Sequence, residues 1–181
     1  MAKRISLREF QVGLVERLTS AARGENSRAL LGILAGRDYW LLNLSDAGEI
    51  VPLPPLTAVP LTKPWFVGIA NIRGMLYSVV DFSAFQGGEP TQLNSDTRLL
   101  LIGARHGINS ALLVSRTLGL KNPESLEAVP SSAPEDGDNG ESVRPWLGEH
   151  YRDKQGGQSI AWRMLRIKPL LAHAGFLDIG R

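Results

Sequence analysis

Arg73 is the polar side chain in this sequence that most calls for a reason. It interrupts Lys63-Pro-Trp-Phe-Val-Gly-Ile-Ala-Asn-Ile-Arg-Gly-Met-Leu-Tyr-Ser-Val-Val-Asp-Phe82, an otherwise apolar, strand-like stretch. The planar fork of a guanidinium suits a carboxylate or several carbonyls. Its neighbours are of types that shape a chain. Gly68 permits a bulge or a close backbone approach within a strand. Asn71 can bond nearby main chain and form a turn. Gly74 can take the positive φ that other residues resist. The spacing predicts an arginine held out at a junction between two strands. Two uses fit it: an internal Arg–Asp pair bracing the strands, or a contact offered to a partner. Both can hold at once.

Other chemistry is harder to find. His106, His150 and His173 have no second histidine or carboxylate at metal-ligand spacing, so no metal site is expected. His106 falls in a predicted turn and is expected to face solvent. Ser110 and Ser115 lack the Gly-x-Ser-x-Gly frame of a nucleophile elbow. No phosphate-binding or dinucleotide fingerprint occurs, and Gly87-Gly88 is not followed by a helical pattern. Asp81 is either a catalytic acid or a strand-end carboxylate that ties down a turn. The second role is much the commoner, because aspartate readily accepts backbone hydrogen bonds. There are no cysteines, hence no disulfide, thiolate metal site or thiol nucleophile, which suits a reducing compartment. These residues predict neither an enzyme nor a cofactor, and point instead to a protein that binds other proteins.

Charge separates the remaining classes. The 20 Lys+Arg stand against 18 Asp+Glu, scattered along the chain, whereas a phosphate-neutralising surface needs clustered basic residues. A small barrel that binds nucleic acid is the main alternative. Trp40, Trp65, Trp146 and Trp162 could stack on bases, but no basic cluster accompanies them, and packing is their commoner role. No apolar window approaches the length of a membrane span, and no uninterrupted apolar run follows Met1-Ala-Lys-Arg-Ile5, so neither membrane insertion nor a leader is expected. The expected location is the cytoplasm.

The elements that must position Arg73 are mostly strands. Ala29–Ala35 and Tyr39–Leu44 are apolar runs joined by Gly36-Arg-Asp38, a hairpin signal. Glu49-Ile-Val51 is stopped by Pro52, Pro54 and Pro55. Phe66–Ile72 and Met75–Phe82 flank Arg73-Gly74. Leu99–Ala104 and Ile108–Ser115 flank Arg105-His-Gly107, another tight-turn signal, and Ser159–Ile167 is strand-like. Helical patterns are confined to the two ends. Residues 6–23 carry Leu7, Phe10, Leu14, Leu18 and Ala21 along one face, with Ser6 and Glu9 at capping-box spacing. Leu170–Ala174 reads as a short helix. Residues 131–145, with four acids and almost no apolar side chains, read as a surface loop. The fold class is all-β, a barrel or sandwich, and no strand–helix alternation supports a parallel sheet. Residues 1–27 form a helical arm and linker, and 28–181 one domain.

Phe66 to Phe82 resembles the signature of CheW-like domains, in which Gly, Asn, Arg-Gly and a later hydrophobic-Asp-hydrophobic recur at this spacing. Val59-Pro60, Lys63-Pro-Trp65, the Gly36-Arg-Asp-Tyr39 hairpin, Glu49-Ile50, Thr97–Ile102 and Gly107–Leu120 fit as well, and the likeness runs from about Arg28 to Ala174. Ser78 departs from it, standing where proline is usual. Lys63-Pro-Trp65, the Leu7-Arg-Glu-Phe-Gln11 helix and Ala174-Gly-Phe-Leu-Asp178 are similar to the branch that serves type IV pilus systems. The resemblance implies two packed five-stranded β-barrels and a non-catalytic adaptor recruited to membrane-bound receptor arrays. Its implied partners are the regulatory domain of a CheA-type histidine kinase and the cytoplasmic tip of a methyl-accepting chemoreceptor. It places Glu49, Ile50, Gly68, Asn71 and Arg73 at partner contacts, with Val79 and Val80 as barrel or groove wall.

Overall fold

The computed structural model describes residues 29–130, 144–153 and 160–181. The helix read at 6–23, its linker and residues 131–143 of the acidic loop lie outside the described residues.

Strands make up most of the regular structure of the described chain, as expected. The chain starts in one sheet with β1 (Leu30–Ala35) and β2 (Asp38–Asn43). It crosses to a second for β3 (Ala47–Pro52), β4 (Leu56–Thr57), β5 (Phe66–Ile72), β6 (Met75–Asp81), β7 (Arg98–Ile102) and β8 (Ser110–Val114). It returns to the first for β9 (Arg116–Lys121), β10 (Leu126–Val129), β11 (Leu147–Asp153) and β12 (Ala161–Leu165). Both sheets have six strands, in the orders β10-β11-β12-β2-β1-β9 and β3-β7-β8-β6-β5-β4. Among the described residues three short α-helices accompany the strands: α1 (Phe82–Phe85), α2 (Ile167–Ala172) and α3 (Ala174–Leu177).

Two features correct the sequence expectation. Each sheet contains one parallel pair, β12 with β2 and β6 with β8. The chain between these partners runs through other strands rather than a crossover helix, so no strand–helix alternation marks them. In addition, α1 sits in the middle of the chain. Its four residues are too few to show helical periodicity, and its apolar Phe82 reads as the end of β6.

Alternation along the strands builds three apolar layers. Leu41 points into the first sheet with Leu30, Leu126 and Trp162. Leu99, Leu101, Ala111 and Leu113 point into the second with Ala70 and Val79. The side chains between them, Trp40, Leu42, Leu100, Ile102, Leu112 and Val114, face the opposite way and pack the two sheets together with Val80 and Phe82. Strands buried on both faces read as continuous apolar runs, which is why 99–102 and 111–114 show no polar alternation. Trp40, Trp146 and Trp162 are buried and Trp65 packs among Phe85 and Phe176, so the tryptophans are packing residues, not a base-stacking platform.

The C-terminus fastens the sheets. Thr62 bridges Gly180, Lys63 donates its N–H to the Ile179 carbonyl at 2.8 Å, and Arg181 donates to Leu61 at 3.0 Å. Lys63 Nζ also donates to the Asp178 carboxylate at 2.9 Å. That hydrogen bond, with the ammonium charge behind it, holds the Asp178 carboxyl below its ordinary value. A lowered folded value means that the contribution is present above the unfolded value and lost as pH falls through the folded one. The group is exposed, so the effect is small. Lys63→Met is expected to flatten the acid limb of the stability profile slightly, as measured by urea midpoints stepped downwards from pH 5.

Candidate partner-binding surface

Arg73 and Gly74 are the two-residue loop of the β5–β6 hairpin, with Ile72 opposite Met75. Both take positive φ, at 53° and 83°. Two-residue loops with positive φ at both central positions match the twist of paired strands and normally hold Asn-Gly or Gly-Gly. Asn71 supports the loop by accepting the Gly74 N–H at 2.9 Å. The Arg73 fork then closes on Glu49 of β3, Nη1 donating to Oε2 at 2.8 Å and Nη2 to Oε1 at 2.7 Å. β3 is the first strand of its sheet and the hairpin joins the fourth and fifth. Neighbouring strands lie about 4.8 Å apart, so the sheet must curl for this pair to meet. The clasp spans the mouth of that curl.

The partner is therefore a glutamate rather than an aspartate, and the pair is open to solvent. The side chains of Arg73 and Glu49 are 76% and 44% exposed. Large apolar side chains share this end of the sheet: Ile50 beside Glu49, Met75 and Leu76 after the loop, and Ile108. Ser78 pairs with Ser110 in the parallel ladder, so Leu76 and Ile108, each two residues earlier, lie at the same end. Ser78 also donates its N–H to Asn109 at 3.0 Å, a bond that proline at this position cannot make.

The seven residues singled out in the sequence fall into two groups. Glu49, Ile50, Asn71 and Arg73 meet at this rim. Gly68, Val79 and Val80 do not reach it. Val79 is inside the curl of the second sheet and Val80 lies between the sheets. Gly68 is the bulge of β5, at φ 139°. A Cβ there would sit 2.4 Å from the Thr57 carbonyl oxygen, so this glycine lets β4 pack against β5. Met75, Leu76 and Ile108 were not singled out. Two adjacent exposed residues break the alternation of β6, but in sequence Met75-Leu-Tyr77 reads like the other apolar stretches of the strand.

His106 corrects another expectation. Its side chain is only 9% exposed, and Nε2 lies 2.9 Å from Oδ1 of the buried Asp46. Arg105 donates to the same carboxylate oxygen. Asp46 belongs to a 3-10 turn, Leu44–Asp46, which sequence spacing did not separate from a strand end. Asp81 behaves as the structural alternative describes. It caps α1 and binds Thr91. Among the described residues no cluster of histidines and carboxylates could hold a metal ion, and no helix is long and apolar enough to cross a membrane.

Comparison with known proteins agrees with this picture. The model of the CheW-like domain matches residues 29–139. Protein PilI of Pseudomonas aeruginosa is 24% identical over 155 residues, which cover 83% of this chain and 79% of that one. Chemotaxis protein CheW of Rhizobium meliloti is 31% identical over 108 residues, 57% of this chain and 62% of its own. The crystal structure of the scaffolding protein TtCheW from Thermoanaerobacter tengcongensis superposes with a TM-score of 0.61 at 17% identity, covering 82% of this chain and 95% of that one. With a fold of two packed sheets and a surface clasp at its rim, the chain belongs to the CheW-like domain family, whose members are non-catalytic scaffolds.

Proposed function

We propose that this chain is the adaptor that couples the cytoplasmic tip of a chemoreceptor to the regulatory domain of a CheA-type histidine kinase in the control of type IV pili and twitching motility. The family match supports the adaptor role, and the similarity to PilI over most of the chain supports the pilus setting. The observation that carries the reading is energetic. Holding a non-glycine residue in the left-handed region costs about 1–2 kcal/mol. An exposed ion pair gives back only about 0–1 kcal/mol. Arg73 thus sits in a costly conformation that internal stability does not repay, between Glu49 and a rim of exposed Ile50, Met75 and Leu76. Unrepaid strain in an exposed, apolar-rimmed position supports a contact surface.

Two substitutions test this. Arg73→Asn restores the usual Asn-Gly loop and is expected to raise stability by roughly 1 kcal/mol. The same protein is expected to bind a receptor-tip peptide or a kinase regulatory domain about tenfold more weakly, measured by calorimetry. Arg73→Glu is expected to weaken binding further while the protein still folds. Unchanged affinity in both variants overturns the proposal, and failure of the charge-reversed protein to fold makes Arg73 an internal brace.

A further inference from the structure

The rim of the clasp lies within reach of another part of the same chain. Ile50, Met75 and Leu76 are 37%, 51% and 60% exposed there, a concentration of large apolar side chains left in water. They come from β3 and β6, and the Arg73–Glu49 pair holds those strands together at this point. The two charges of the pair neutralise each other, so nothing at the rim repels an apolar guest.

The N-terminal arm enters close by. Leu44 donates its N–H to the Ala29 carbonyl at 2.9 Å, which sets the first described residue against the 44–46 turn that leads into β3. Only the stretch from Leu44 to Ile50 separates that entry from the rim, a path of roughly 25 Å at most. In the arm, Leu7, Phe10, Leu14 and Leu18 recur at intervals of three and four, and Gly24-Glu-Asn-Ser-Arg28 joins them to Ala29. Five extended residues reach about 17 Å, and an 18-residue helix is about 27 Å long, so the arm is long enough. A lone helix of that length is marginal in water, and Gly13 weakens it further, so its apolar face needs a surface to pack on. The short linker presents the rim at an effective concentration on the order of mM. Leu120, opposite Leu31, is also near the entry, but it is the single exposed large apolar side chain of β9. One such residue is ordinary, whereas three together form a surface.

We propose that residues 6–23 dock as an amphipathic helix on the rim of Ile50, Met75 and Leu76 of their own chain, and there compete with the partner for the surface around Arg73. The docking stands on reach and apolar burial. The competition rests on the reading that this rim meets a partner.

The chain has no cysteine, so Ser20→Cys places one nitroxide label on the arm of the full-length protein. The amides of Ile50, Met75 and Leu76 are expected to lose intensity by paramagnetic broadening, equally at every protein concentration. Leu14→Glu in the arm is expected to restore all three, and Leu76→Lys, an exposed change, to restore Ile50 and Met75. Leu14→Glu is also expected to tighten binding of a receptor-tip peptide or a kinase regulatory domain about fivefold, because the open fraction rises. Broadening that misses the rim, or centres on Leu120, overturns the proposal. Broadening that grows with concentration overturns it too, since the arm then docks on a second copy. Rim broadening with partner affinity unchanged by Leu14→Glu overturns the competition. Rim broadening in a protein that binds neither partner keeps the docking and overturns the adaptor reading instead.

Discussion

Asp81→Ala is expected to destabilise the protein by about 3–5 kcal/mol, seen as a large fall in the urea midpoint followed by tryptophan fluorescence. The carboxylate is buried and accepts four hydrogen bonds. Oδ1 takes the N–H of Ser83 at 3.0 Å, that of Ala84 at 3.2 Å and the Thr91 hydroxyl at 2.8 Å, and Oδ2 takes the Thr91 N–H at 2.7 Å. Two of these donors open α1, so alanine loses a helix cap, worth about 0.5–2 kcal/mol. The other two belong to Thr91, itself buried, and leaving such donors without partners costs about 1–3 kcal/mol apiece unless water reaches them. A domain of this size holds only about 5–15 kcal/mol in all, so the loss is a large share. Asp81→Asn keeps one acceptor but turns an amide towards the Thr91 N–H, and is expected to fall between. An alanine variant as stable as the wild type would mean that water replaces the carboxylate, and that the loop 86–91 is not fastened from below.

How far this was legible depended on whether a residue's partner was near in sequence. The β1–β2 and β5–β6 hairpins were readable because Gly36 and Gly74 mark turns between adjacent apolar runs, and both take positive φ. The role of Asp81 was readable because two of its donors are the next turn of chain. Asp46 was not readable: its partners, Arg105 and His106, lie about sixty residues away, and only the packing of the 44–46 turn against the 104–106 turn brings them together. Glu49 and Arg73, 24 residues apart, meet because the sheet curls. The motif marked both residues, but an Arg–Asp brace was the pairing expected. The parallel pairs were hidden for the same reason, since each joins strands separated by other strands. The exposure of Met75 and Leu76 was hidden because outward-facing apolar side chains look the same in sequence as buried ones.

Gly68→Ala is expected to cost about 3 kcal/mol or more, and to do so without touching any partner. The glycine's φ of 139° is one that side chains rarely adopt, and an added Cβ would lie 2.4 Å from the Thr57 oxygen and 3.0 Å from its carbonyl carbon. Backbone cannot yield as the tip of a flexible side chain does. The methyl group therefore pushes β4 away, breaking the pairs of Leu56 with Ala70 and Thr57 with Ile69. β4 has only these two pairs to lose, and Leu56 packs on the interior of the second sheet, so the curl opens at its last strand. This outcome separates two roles for a motif glycine. A residue that contacts a partner would lose affinity at unchanged stability. One that seats a strand would lose stability first, and affinity only in proportion to the unfolded fraction. Hydrogen exchange is the sharper measurement: Gly68→Ala should expose the amides of β4 and the outer edge of β5 while β7 and β8, interior strands further along the same sheet, stay protected. Protection unchanged at β4 alongside a loss of partner affinity would return Gly68 to the contact surface, and the rim around Arg73 would then extend along β5.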